Sequence, residues 1–156
     1  VNSQAASGVI VAAFQLVAGI SQLASQRLDS NKAMVLGTTL IALAILACAF
    51  AIWTASPLLF VLGTLGSGIG YGAAFVGAAG VVNRIAPPDR RATWVSTFYI
   101  TGYLANALPV LALGFLGDRL GLFGAFLCLT VFTVVGTIVV NSTARIVLRP
   151  SRRGRA

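Results

Sequence analysis

The chain has 156 residues, of which 58% are hydrophobic and only 9% charged, and its mean hydropathy is +0.94. Soluble domains carry about a quarter charged residues, so this composition excludes an ordinary soluble fold. Histidine is absent, the only acids are Asp29, Asp89 and Asp118, and the net charge is +8. That inventory offers no acid/base pair, no histidine-backed nucleophile and no metal cluster, so neither an enzyme nor a cofactor is expected.

A membrane-spanning helix needs ~20 mostly apolar residues. Five stretches qualify, at about 6–26, 33–54, 57–83, 93–117 and 121–147. They are joined by RLDSNK, ASP, NRIAPPDRRA and GDRLG, and a basic tail, 148–156, follows. No period-two alternation persists, and in lipid a helix pairs all its backbone groups within one segment. The expected fold class is all-α: a polytopic membrane helix bundle of five transmembrane helices forming a single membrane domain, 1–156.

The first span sets Gln15, Gln22 and Gln26 on one face with Gly8 and Gly19. An amide is costly toward lipid, so that face points into the protein or toward water. Helix glue and cavity wall both remain open for Gln15 and Gln22, while Gln26 falls at headgroup level. Cys48 in the second span and Cys128 in the fifth have no metal-ligand spacing and read as packing residues.

The third span contains GTLGSGIGYGAAFVGAAG, residues 63–80. A dinucleotide fingerprint needs G-x-G-x-x-G and a P-loop needs Gly-Lys-Ser/Thr; no register here supplies either. On a helix, Gly63, Gly66, Gly70, Gly77 and Gly80 share one face. Gly68 and Gly72 lie nearly opposite, with Ala79. Small residues let backbones approach closely in a membrane, so this helix is expected to be squeezed between two neighbours. Thr64, Ser67 and Tyr71 form a polar strip between the glycine faces. It is either a ligand surface or interhelical hydrogen bonding.

In the fourth span, STFYITGYLANALPVLALG, one face carries Tyr99, Tyr103, Asn106 and Val110, with Ser96 near it. Pro109 cannot donate to the Ala105 carbonyl, which favours a helix kink. An aromatic and amide surface beside a kink reads as a substrate wall. The fifth span aligns Thr130, Thr133, Thr137 and Asn141; threonine can satisfy itself on its own backbone, so this row reads as packing. No carboxylate, His, Lys or Arg lies deep in any span, so this segment carries no proton-coupling carboxylate.

Five spans put the termini on opposite sides. One side then holds Arg27, Lys32, Arg84, Arg90, Arg91, Arg145 and the four arginines of the tail, and the other holds only Arg119. Cytoplasmic loops are enriched in Lys and Arg, so the N-terminus is expected outside and the tail RPSRRGRA in the cytoplasm. The positive charge is thereby assigned to orientation and anionic lipid heads rather than to nucleic acid. Trp53 and Trp94, at span ends, fit interfacial anchors. The Ala, Gly, Val and Arg bias points to a bacterial source, and hence to the plasma (inner) membrane.

At residues 84–121, RIAPPDRRATWVSTFYITGYLANALPVLALGFLGDRLG, the chain resembles the major facilitator superfamily of secondary transporters. The segment is similar to that family's loop between helices ten and eleven, with Pro-Pro-x-x-Arg-Ala, followed by helix eleven and a short Gly-Asp-x-x-Gly turn. The resemblance covers essentially the whole chain as helices eight to twelve, part of the C-terminal six-helix half. GFLGDRLG also matches the start of the family's cytoplasmic signature. It lacks the trailing basic pair, and the charge bias places it outside, between helices eleven and twelve.

The resemblance implies a half-bundle that rocks against a missing N-terminal half around a central cavity. It assigns to that cavity Gln15 and Gln22, Thr64, Ser67 and Tyr71, and Tyr99, Tyr103 and Asn106. The expected function is the C-terminal part of a secondary active transporter for an unknown small-molecule substrate. The alternative is a free-standing small membrane scaffold or assembly partner. A start at Val1 is expected of a fragment or of an alternative start codon.

Overall fold

The computed structural model describes residues 3–147, so the expected basic tail lies outside the described residues. Four continuous helical runs carry the chain: α1 (Ser3–Ser25), α2 (Ser30–Trp53), α3 (Pro57–Ile85) and α4 (Arg91–Val147), with a short 3-10 turn, Pro88–Arg90, before α4. All four are long and apolar enough to cross a membrane.

The helix starts follow from local chemistry. Asp29 caps α2, its carboxylate accepting from the backbone N–H groups of Asn31 and Lys32 at 3.1 and 3.2 Å. Ser56 caps α3 by accepting from Leu59, with Pro57 at the first helical position, where its missing N–H costs nothing. Between them α2 closes in a Schellman arrangement. Ser56 N–H donates to the Ala51 carbonyl, Ala55 N–H donates to Ile52, and Ala55 takes a left-handed φ of 51°. Three residues thus reverse the chain.

α4 runs for 57 residues. A straight helix of that length would extend ~85 Å, against a hydrocarbon core of ~30 Å. Gly121 resolves the conflict. Its φ of 71° and ψ of 169° break the helix, in a region open essentially to glycine alone. The expected turn GDRLG is therefore not a loop. Helix continues through Leu120 and restarts at Leu122, giving two arms, 91–120 and 122–147. Five expected spans become four helical runs because one connection has shrunk to a single residue. Pro109 keeps helical dihedrals; the one non-helical pair in α4 falls at Gly121.

Contacts set the directions. α1 and α3 run parallel, since Gly68 meets Phe14 and Val17 while Gly72 meets Ser21 and Gln22. α2 is antiparallel to both, with Gly63 against Cys48 and Gly77 against Ser30 and Met34. The second arm of α4 packs along α2. Asn141 reaches Thr38 and Thr39 of α2, and at the other end of the arm Phe126 meets Phe60 of α3 with ring centroids 6.0 Å apart. One end of the bundle therefore gathers Arg27, Lys32, Arg84, Arg90 and Arg91, and the other carries Asp118 and Arg119. Arg84 donates to the Asn31 side chain at 2.9 Å, tying the end of α3 to the start of α2. Among the described residues the buried apolar ones are alanines and Cys48, not large side chains, in keeping with close helix packing in lipid.

Candidate functional site

The site is built on α3, and the glycines decide where it can be. A Cβ on Gly70 would lie 2.8 Å from the Gly37 carbonyl of α2, and one on Gly63 would lie 2.6 Å from Cys48 Sγ. Gly77 and Gly80 press on Ser30, and Gly66 faces Ala44 at an ordinary 3.5 Å. Gly68 and Gly72 press instead on α1, at the Phe14 carbonyl and the Ser21 side chain, 3.0 and 2.8 Å from a built Cβ. The Ser21 hydroxyl donates to the Ile69 carbonyl at 2.6 Å and adds a polar tie to the same seam. The strip carrying Thr64, Ser67 and Tyr71 lies between these two faces, on the side where Phe60 and Phe75 reach α4.

The three strip residues differ. Thr64 donates to the Phe60 carbonyl at 2.9 Å and Ser67 to the Thr64 carbonyl at 2.7 Å. Both hydroxyls are thus satisfied by their own helix. Tyr71 reaches outward: its ring lies 6.0 Å from Phe14 of α1 and stacks at 6.0 Å on Phe75. Phe75 in turn meets Phe98 at 5.5 Å and Tyr99 at 5.7 Å. Tyr71 and Tyr99 are therefore joined through Phe75. Tyr103, one turn beyond Tyr99, is strongly exposed. Asn106 is exposed further along the same arm, and on α1 Gln15 is exposed while Gln22 is half-buried beside Gly72.

Phe14, Phe75 and Phe98 escaped sequence reasoning, which searched apolar spans for polar residues. Two signals were present: Phe75 follows Tyr71 by four residues on the same helix face, and Phe98 adjoins Tyr99. The third ring, Phe14, is brought in only by tertiary packing.

The threonine row divides similarly. Thr130 and Thr133 donate to their own helix at Phe126 and Leu129. Thr137 donates to the Thr38 carbonyl of α2 at 3.1 Å, Thr38 donates to the Asn141 side-chain oxygen at 3.2 Å, and the Asn141 amide donates to Thr39 at 3.0 Å. This polar knot fixes the second arm on α2. Between the two arms of α4 opens an apolar groove of about 510 Å³, with Ala105, Pro109, Cys128 and Phe132 in its walls. Among the described residues no group of side chains could hold a metal ion, and the Asp, Lys and Arg side chains sit at or near the ends of helices or arms. Such an interior offers π faces, phenols and amides, and no fixed charge.

Long apolar helices, charges confined to the two ends and small residues at the helix seams define a polytopic membrane protein. The family model described as Major Facilitator Superfamily matches residues 2–155, and the chain belongs to that superfamily. No curated protein and no solved structure matched the chain. Members of the superfamily are membrane transporters.

Proposed function

We propose that the chain is the C-terminal part of a secondary active transporter that moves a small molecule by alternating access. The observation that carries this reading is the linking of Tyr71 and Tyr99 through Phe75 into one uncharged surface between α3 and α4, next to the Gln15 and Gln22 helix. Transport rather than catalysis fits the same surface, which carries no carboxylate and no histidine. The chain sits in the plasma membrane with its N-terminus outside and its C-terminus in the cytoplasm, because the basic loop residues gather at one end. Its partner is the N-terminal half of the transporter, and the wholly apolar groove between the arms of α4 suits a further transmembrane helix.

The test uses the intact transporter. Tyr99→Ala, Tyr103→Ala and Asn106→Ala should each sharply reduce uptake or efflux while membrane insertion stays normal. If all three leave transport unchanged, the cavity assignment is wrong. The upstream reading frame is the second check: about seven further spans in frame support the transporter, by the fold's two six-helix halves, and a stop codon just before Val1 supports a free-standing membrane scaffold.

A further inference from the structure

Five aromatic rings from three helices form one connected cluster: Phe14 of α1, Tyr71 and Phe75 of α3, and Phe98 and Tyr99 of α4. Elsewhere α3 meets α1 and α2 through its own glycines, which approach backbone and non-aromatic side chains such as Cys48, Ser21 and Ser30, so close packing of these helices does not call for aromatic rings. Here five rings cluster between α1, α3 and α4, whereas the Phe60–Phe126 contact between α3 and α4 is a single pair. Gly102 is the nearest α4 glycine, and a Cβ there would still stand 3.9 Å from Phe75. Tyr99 is 40% exposed and Tyr103 is 71% exposed, so ring faces remain open beside the cluster. Among the described residues, the hydroxyls of Thr64 and Ser67 are consumed by backbone carbonyls, whereas no such bond engages the three phenols.

We propose that this cluster is a stacking surface for an uncharged, planar aromatic molecule. Its ring system lies against Tyr71, Phe75 and Tyr99, and its polar substituents meet the phenols. The proposal rests on the transport reading and names its substrate class. Stacked and edge-on arrangements gain from ring complementarity beyond area burial. A cation would also gain from the ring faces. It would have to shed its hydration with no carboxylate among the cluster residues to replace it, and an unpaired charge taken out of water is costly. Charge is therefore selected against, and planarity is selected for.

The test is equilibrium dialysis of the purified full chain in phosphatidylcholine nanodiscs, with empty nanodiscs subtracting lipid partition. The probes are acridone, which is neutral, and N-methylacridinium, which has the same three-ring frame and a permanent charge. Saturable acridone binding at least tenfold tighter than that of N-methylacridinium is expected. Phe75→Leu and Tyr99→Leu should each weaken acridone at least fivefold, whereas Phe132→Leu, in the groove between the α4 arms, should not. Tyr71→Phe keeps the ring and should cost less than Tyr71→Leu. Circular dichroism checks that each variant keeps its helices. The proposal is overturned if acridone does not exceed empty nanodiscs, if the cation binds as tightly, or if Phe75→Leu and Tyr99→Leu are both without effect. Dialysis does not require transport. Selective acridone binding by a chain whose intact protein transports nothing would sink the transport reading alone. Transport of a substrate with no acridone binding would sink the stacking surface alone.

Discussion

Gly37 and Gly70 face each other across the α2–α3 seam so closely that neither can carry a side chain. A Cβ on Gly37 would lie 2.6 Å from the Gly70 carbonyl oxygen, and one on Gly70 would lie 2.8 Å from the Gly37 carbonyl oxygen. Each obstacle is backbone, which cannot rotate aside. Backbones this close also allow Cα–H···O contacts between helices. The pair fixes the distance between α2 and α3, and through it the position of the polar strip on α3.

Gly70→Ala and Gly37→Ala should therefore each destabilise the bundle by about 1–3 kcal/mol, the usual cost of overpacking. Gly19→Ala should not, because nothing lies within 4 Å of a Cβ there. Unfolding in mixed micelles titrated with sodium dodecyl sulfate measures both. Equal stabilities for Gly19→Ala and Gly70→Ala would refute the seam.

Asn141 links to two hydroxyls on α2, at 3.2 and 3.0 Å. Asn141→Leu should cost about 1–2 kcal/mol in the same titration, at the model-peptide scale for interhelical hydrogen bonds in membranes. Thr133→Val is the control, since that hydroxyl bonds only its own helix, and it should stay within about 0.5 kcal/mol.

Gly121 is the hinge of the α4 hairpin. A Cβ there would meet open space, so the constraint is conformational rather than steric crowding by neighbours. Gly121→Ala should cost about 1–3 kcal/mol and should widen the spacing between the arms. Spin labels at Leu108 and Phe132 would report it as a longer, broader distance distribution, whereas Gly117→Ala, three residues inside the helix and also in open space, should leave the distribution unchanged.

Within the strip on α3, the two small hydroxyls should matter least. Thr64→Val and Ser67→Ala remove groups already bonded to their own backbone, so transport by the intact protein should fall less than about twofold, within a few tenths of a kcal/mol. Tyr71→Ala removes the ring that connects α1 to the Phe75 cluster and should reduce transport at least tenfold. The reverse ranking would move the substrate surface away from the aromatic rings.

The groove between the arms of α4 should be open to lipid in this chain and closed in the intact transporter. A lipid-soluble carbene precursor, mapped by mass spectrometry, should label the peptide containing Cys128 in the chain alone and much less once the N-terminal half is present. Labelling of that peptide that does not change would argue against a helix seated there.

Much of this was legible because it is local. Hydropathy over ~20 residues marks a span, and a 3.6-residue period sorts one helix into faces. The two glycine faces of residues 63–80 could therefore be drawn from the sequence, along with the strip between them. Tertiary structure decided what each face meets: Gly63 to Gly80 on α2, and Gly68 with Gly72 on α1. It joined Phe14, Phe75 and Phe98 to the tyrosines, and it separated Tyr71, aimed at other rings, from Thr64 and Ser67, turned back on their own carbonyls. It also shrank a five-residue connection to Gly121. The reason is physical: the period of a helix specifies the angle between its faces, but only packing between residues 48 or 103 positions apart, as in Ser21 with Ile69 and Thr38 with Asn141, specifies which neighbour fills each one.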